Sequence, residues 1–191
     1  DFKYLCLIES GLVQAISPAG AHGFWQFMPA TAMEFNLEVN SQIDERLDIS
    51  KSTVAACSYL RNAQNKFKNW MLTAASYNAG VGGIGSALED QMVVRYFDLH
   101  LNNETSRYVF RILAMKIIFE NPEAYGFSKE QIELYEPIPT RKVQVKNSIS
   151  DLKQWAKANG SNYHMLKVLN PWILTDKLKV TNEVLTIELP K

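Results

Sequence analysis

The opening stretch Phe2-Lys-Tyr-Leu-Cys-Leu-Ile-Glu-Ser-Gly-Leu12 sets the class of fold. Phe2, Leu5, Ile8 and Leu12 recur at intervals of three or four residues, so they share one face of a helix, with Glu9 beside that stripe near the helix end. The same period runs on to about residue 127, broken by Gly, Pro and Asn, with few alternating stretches that would argue for strands. The first part of the chain is therefore read as an all-helical body. Ser17 to Gly23 makes a loop, and Pro29 suits the first turn of a short helix carrying Ala32, Met33 and Phe35. Ser50 is expected to cap a long helix whose core positions include Val54, Cys57, Leu60 and Phe67, and Trp70 to Asn78 reads as a buried apolar helix. Gly80, Gly82, Gly83 and Gly85 are expected to be a flexible stop. Asn103 is expected to cap a last helix, with Val109, Ile112 and Leu113 on its core face and Asn121-Pro122 as its end.

The run Glu136-Pro-Ile-Pro139 is stiff and extended, because each proline also biases the residue before it away from helix. The domain boundary is placed there, giving a helical domain over residues 1–135 and a small one over 136–191. Beyond it, Lys142 to Val145 alternates, Ile149 to Ala158 and Tyr163 to Leu169 read as helices around Gly160, and Leu185 to Leu189 alternates again. This is an α+β strand-helix-helix-strand module. A module of this size has only a marginal core, so it is expected to lean on the first domain or on a ligand.

Composition excludes several functions. With 20 basic and 20 acidic residues the net charge is zero, and no Lys/Arg cluster offers a footprint for nucleic acid. The apolar fraction of 47% and charged fraction of 21% are those of a folded globular protein, and no apolar run reaches the length of a membrane span. The chain opens inside a helical pattern, so an upstream segment is expected to be missing, and with it any targeting signal or membrane anchor. Cys6 and Cys57 have apolar neighbours and are read as two buried thiols rather than a bridge. His22, His100 and His164 are scattered without ligand spacing, so neither a metal nor another cofactor is expected. The glycines at 80–85 lack the preceding strand and following Lys-Ser/Thr of a phosphate loop.

Glu9 stands where an apolar helix meets a glycine-containing loop, a setting that desolvates a carboxyl and raises its pKa, as a general acid requires. Glycosidic cleavage needs such a donor and usually a second carboxylate, yet no partner for Glu9 emerges from the sequence. A glutamate in such a place is more often structural than catalytic, and the neighbouring segments decide. Gly23-Phe-Trp-Gln-Phe-Met-Pro29, Ala75-Ser-Tyr-Asn-Ala-Gly80 and Glu104-Thr-Ser-Arg-Tyr-Val109 each mix aromatic rings with amides or hydroxyls, the chemistry that meets sugar rings. Trp25 and Phe27 are favoured as core. Tyr77 and Asn78 are more suggestive, since an Asn buried beside a helix-ending Gly needs partners.

These residues resemble the lytic murein transglycosylases of the membrane-bound D type, whose catalytic fold is goose-lysozyme-like. The resemblance rests on Ile8-Glu-Ser10, Ser17-Pro-Ala-Gly-Ala-His-Gly-Phe-Trp-Gln-Phe-Met-Pro29, Ser76-Tyr-Asn-Ala-Gly80 and Glu104-Thr-Ser-Arg-Tyr-Val109, in family order. It departs from the family pattern at Phe24, where Leu is frequent, and at Ser76, where Ala is usual. The resemblance implies a mainly α fold, with a lysozyme-like helical domain in front. It also implies that Glu9 protonates the oxygen between N-acetylmuramic acid and N-acetylglucosamine, then takes a proton from the muramoyl 6-hydroxyl, leaving a 1,6-anhydro end without a second carboxylate. Ser10, Gln26, Met28, Tyr77, Asn78 and Tyr108 match positions lining the substrate groove, and Glu104 a peripheral subsite. The implied partner is peptidoglycan glycan in the periplasm or cell envelope, with membrane association only through the missing segment. The tail resembles a LysM module, by Val145-Lys-Asn-Ser-Ile-Ser-Asp-Leu152 and Leu166-Lys-Val-Leu-Asn-Pro171, although the usual Gly-Asp opening is absent, which sets docking beside glycan binding as its role. A goose-type muramidase that hydrolyses the same bond, and a non-catalytic peptidoglycan-binding protein, are the alternatives.

Overall fold

A computed structural model describes residues 1–128, 134–181 and 184–191. Six helices make the first domain: α1 (Lys3–Ser10), α2 (Pro29–Glu34), α3 (Ile49–Phe67), α4 (Trp70–Ala79), α5 (Val81–Asp90) and α6 (Asn103–Glu120). Helix α1 ends because Gly11 turns left-handed at φ 62° and its N–H closes on the Leu7 carbonyl at 2.9 Å. Helix α4 is buried along Leu72 to Ser76 and packs against α3, α5 and α6. A common core joins Leu5 of α1, Trp25 and Phe27 of the following loop, Leu60 of α3, Ala75 of α4, Ile84 of α5, and Tyr108 and Ile112 of α6. Each large side chain taken fully from water there contributes about 1.5–3 kcal/mol.

Several local expectations change. Asp48 rather than Ser50 caps α3, its carboxylate accepting from the Lys51 N–H, and Asn102 rather than Asn103 caps α6 by accepting from Thr105 N–H at 2.8 Å. In each pair the polar residue one or two places upstream has the extended backbone a cap requires, while the expected one is already helical. The glycines after Gly80 do not form a flexible stop: Val81 to Asp90 is a helix that buries Ile84 and Gly85, because packing against α4 outweighs weak intrinsic propensity. The buried face of α3 is Ser52, Ala55, Ala56, Leu60 and Ala63, which turns Val54 and Cys57 outward. Cys6 is half-buried, so the two thiols, both free, are not a buried pair. Leu113 is also exposed, with Ile112 and Val109 carrying the inner face of α6.

The second domain pairs β1 (Thr140–Val145) antiparallel with β2 (Leu185–Pro190), and α7 (Leu152–Ala158) and α8 (Tyr163–Leu169) lie between them in sequence. The pairing puts Val143 opposite Ile187 and Val145 opposite Leu185, so alternate apolar residues face the helices. Its core holds Val145, Leu152, Leu166, Trp172, Ile173, Leu178, Ile187 and Leu189, together with Ile43 and Leu47 from the first domain. The module thus leans on the helical domain, as its size predicted.

Between α1 and α2 the chain makes the loop that lies under the site. Gly23 has φ 81°, and a Cβ placed there would stand 2.2 Å from the Arg46 carbonyl oxygen, so only glycine fits. Gly23→Ala is expected to destabilise the protein by about 2 kcal/mol or more, because it adds left-handed strain to a backbone clash. Urea unfolding checks this, with an unchanged midpoint opposing it.

Candidate active site

Glu9 occupies the penultimate position of α1, half-buried, and the hydroxyl of fully buried Tyr108 on α6 donates a hydrogen bond to its Oε1. Helices α1 and α6 pack directly on each other, which brings together two residues 99 apart in sequence. The guanidinium of Arg111, one turn beyond Tyr108, donates to the Ile8 carbonyl at 3.1 Å, satisfying one of the open carbonyls at the end of α1.

Burial pushes the Glu9 carboxyl above the ordinary glutamate range, and the negative charge of Glu104 adds to that. The Tyr108 hydrogen bond and the positive charge of Arg111 act in the opposite direction without cancelling the rise. The same burial, with the charge of Glu9 and the bond to it, raises Tyr108 well above the ordinary tyrosine range, so at neutral pH the phenol is a donor. The pair therefore consists of a carboxyl biased toward holding its proton and a donor that steadies the carboxylate once the proton leaves.

The remaining expected site residues divide into those that hold the loop and those that are open. The Ser10 hydroxyl donates to the Phe24 carbonyl at 2.9 Å, with the Cys6 carbonyl as a second acceptor at 3.1 Å, and itself accepts from Leu12 N–H at 3.2 Å. Gln26, left-handed at φ 49°, donates its amide to the carbonyls of Ala15 and Gly23, each at 2.8 Å. The Tyr77 hydroxyl donates to the Trp25 carbonyl at 2.9 Å, and Trp25 itself, buried as expected for core, donates its indole N–H to Thr53. Ser10, Gln26 and Tyr77 thus fix the backbone of the 15–26 loop beside Glu9. Asn78 donates to Glu104 at 2.9 Å and accepts from the Thr105 hydroxyl at 2.8 Å, which joins α4 to the first turn of α6. Met28 is exposed, like Leu12, Val13 and Ile16, so apolar side chains on this loop are open to solvent.

Sequence reasoning passed over Asp44 and Arg46. Arg46 donates from Nη1 to the carbonyls of Gly20 at 2.8 Å and Phe27 at 3.0 Å, and from Nε and Nη2 to the Asp44 carboxylate at 2.9 and 2.8 Å. His22 Nδ1 stands 3.1 Å from the same carboxylate. Burial raises Asp44, but the bonds and charge of Arg46 outweigh it and hold the carboxyl below its ordinary range. The run Asp44-Glu-Arg46 in a loop reads as solvated from sequence, and only its tertiary partners reveal otherwise. Among the described residues no group of His, Cys, Asp and Glu is arranged to hold a metal ion. A surface hollow of about 440 Å³ is lined by residues such as Lys66, Phe67, Leu88 and Met92 and shares none with the Glu9 site.

Residues 2–96 match the family described as the transglycosylase SLT domain, and residues 141–191 that described as the soluble lytic transglycosylase C-terminal LysM-like domain. The chain is similar to the membrane-bound lytic murein transglycosylase D of Escherichia coli K12, 33% identical over 132 residues that cover 66% of this chain and 29% of that protein. It is also similar to a putative tributyltin chloride resistance protein of an Alteromonas strain, 33% identical over 92 residues, 47% of this chain and 44% of that one. The chain thus spans less than half the length of the curated relatives it matches.

The geometry sets two expectations. Tyr108→Phe removes the donor that favours ionisation, so the Glu9 carboxyl, followed by ¹³C NMR, is expected to titrate at higher pH than in the wild type. Because the folded pKa of Glu9 lies above its unfolded value, the folded state holds the proton longer, and stability falls as pH rises from the unfolded pKa through the folded one. Glu9→Gln is therefore expected to raise the Tm at pH 7 and to leave it unchanged at a pH below the unfolded value. A Tm gain that does not grow with pH would refute the buried-carboxyl account.

Proposed function

Since the helical domain belongs to the transglycosylase SLT family and the C-terminal one to the LysM-like family found in soluble lytic transglycosylases, we propose that this chain cleaves peptidoglycan glycan strands as a lytic transglycosylase. The observation that carries the proposal is Glu9: a half-buried carboxyl raised by desolvation and held by the hydroxyl of a buried tyrosine. Such a group is an acid first and a base second. In the first half of the reaction the Glu9 proton moves to the oxygen linking N-acetylmuramic acid to N-acetylglucosamine, and the bond from the muramoyl C1 to that oxygen breaks. The acetamido oxygen of the same sugar closes on C1 and spreads the positive charge. In the second half the 6-hydroxyl attacks C1 and displaces the acetamido oxygen, whose bond to C1 breaks to restore the neutral amide; the hydroxyl proton passes to the Glu9 carboxylate, and a 1,6-anhydro ring closes. Glu9 ends as it began, and no water enters.

Among the described residues the carboxylate whose charge acts on Glu9 is that of Glu104, and one of its oxygens is engaged by Asn78, so a single-carboxylate route suits the site better than a two-acid hydrolysis. We assign residues 1–135 to the catalytic domain and 136–191 to the C-terminal one. Ser10, Gln26 and Tyr77 are assigned to hold the substrate-facing loop, with Met28, Asn78, Glu104 and Tyr108 contributing to the substrate side. The relative's printed name, membrane-bound and murein-acting, supports a place in the cell envelope, and we assign the chain to its periplasmic side. No helix among the described residues is long and apolar enough to cross a membrane.

Digestion of purified sacculi followed by mass analysis tests the reading. The wild type is expected to release 1,6-anhydromuropeptides, and Glu9→Gln to lower the rate by about 10²-fold or more, the usual contribution of a positioned acid/base. Products with reducing ends alone would identify a muramidase instead, and binding without release a glycan-binding protein.

A further inference from the structure

Residues 43–47 are five consecutive buried residues, and three of them, Asp44, Glu45 and Arg46, are charged. Charged side chains are buried only where partners replace water, and here each has them. Glu45 pairs with Lys51 and accepts from Glu38 N–H at 2.8 Å, while Arg46 donates to the Asp44 carboxylate and to the carbonyls of Gly20 and Phe27. The Leu47 carbonyl accepts from the Gln14 amide at 3.1 Å. One side of this segment is thus bolted to both ends of the loop that carries Phe24, Trp25 and Gln26 past Glu9.

The other side belongs to the LysM-like domain. Ile43 and Leu47, 2% and 6% exposed, sit in that domain's core, and Ile43 pairs with Ile173 as an isolated antiparallel bridge. Asp44 N–H donates to the Trp172 carbonyl at 2.9 Å, and the Gln42 carbonyl accepts from Leu174 N–H at 2.9 Å. The Gln42 side chain accepts from Lys179 N–H at 2.9 Å and donates to the Lys179 carbonyl at 3.2 Å. Asp44 therefore binds the second domain through its backbone and Arg46 through its carboxylate, a single residue linking the two.

We propose that Arg46 is a positioning residue for the reaction, fixing the 20–27 loop beside Glu9, and that the LysM-like domain acts as its brace by closing over Ile43 and Leu47. The reaction it serves is the one given under Proposed function, and the proposal rests on that reading only for its kinetic part.

Three full-length variants decide it: Arg46→Gln, Ile173→Ala and the double variant. On soluble uncrosslinked glycan strands, Arg46→Gln is expected to lower kcat about tenfold or more while KM changes less, since a small displacement of positioning groups costs rate steeply. Ile173→Ala is expected to lower kcat in the same sense, and the double variant to be no slower than Arg46→Gln alone, because both act through one segment. Amide hydrogen exchange at residues 20–27 is expected to quicken in each variant. Wild-type exchange and kcat in Ile173→Ala, or effects that multiply in the double variant, would overturn the brace. Unchanged kcat in folded Arg46→Gln would overturn the positioning role. Should Arg46→Gln fail to fold, Ile173→Ala alone decides, since it lies outside the helical domain. If the wild type releases no anhydro ends, the catalytic reading fails, while the exchange measurement still decides the coupling.

Discussion

A guanidinium and a carboxylate placed beneath a loop, largely out of water, are the constraint around which the site is organised. Arg46 and Asp44 are 7% and 4% exposed, so neither is solvated enough to tolerate a missing partner. The Arg46 guanidinium makes four hydrogen bonds, two to the Asp44 carboxylate oxygens and one each to the carbonyls of Gly20 and Phe27. Those carbonyls lie at either end of the turn through Gly23, so satisfying the charge fixes the path of the backbone between them. Gly23 fits because its bare Cα passes the Arg46 carbonyl where any side chain would collide. The loop is shaped by electrostatic satisfaction below and by the Tyr77 and Ser10 hydroxyls at its sides, and the open apolar residues are what it presents outward.

Glu9 depends on this frame in a different way. A carboxyl made acidic by strong donors would be a poor proton source near neutrality, and one left wholly apolar would be a poor base once ionised. Burial at the α1 terminus supplies the upward pressure, and a single tyrosine with Arg111 nearby supplies a limited counterweight. The balance suits a residue that must give a proton and then take one. The pairing of α1 with α6 is what sets it, since it brings Tyr108 and the Arg111 tie to the Ile8 carbonyl to the same end of the helix.

Periodicity revealed the helical body and the strand-helix-helix-strand tail, because the apolar face of each element is long enough to outvote local noise. It fails where packing overrides propensity: a helix with Gly82, Gly83 and Gly85 in its first half is unreadable from its own residues, and Cys57 reads as core although the alanine face of α3 packs more closely. The candidate site was legible as motifs but not as roles. Nothing in the sequence distinguishes a tyrosine that faces substrate from one, like Tyr77, whose hydroxyl holds a loop carbonyl, because that depends on what lies across the fold. The run Asp44-Glu-Arg46 was invisible for a stronger reason. Its local pattern is that of a solvated turn, and both of its sets of partners are distant in sequence.

The size of the second domain gives that run its further meaning. A module of about 50 residues hides too little apolar surface to be secure alone. It completes its core with Ile43 and Leu47 and its backbone pairing with Gln42 and Asp44, all taken from the helical domain. The same residues cannot be loosened from one partner without disturbing the other, because Asp44 bonds Trp172 by its backbone and Arg46 by its side chain. A marginal module and a loop in need of support thus stabilise each other through one segment. That mutual dependence accounts for burying three consecutive charged residues where an apolar turn would have cost less to desolvate: apolar side chains would fill the space, but they would not hold two carbonyls in place beside Glu9.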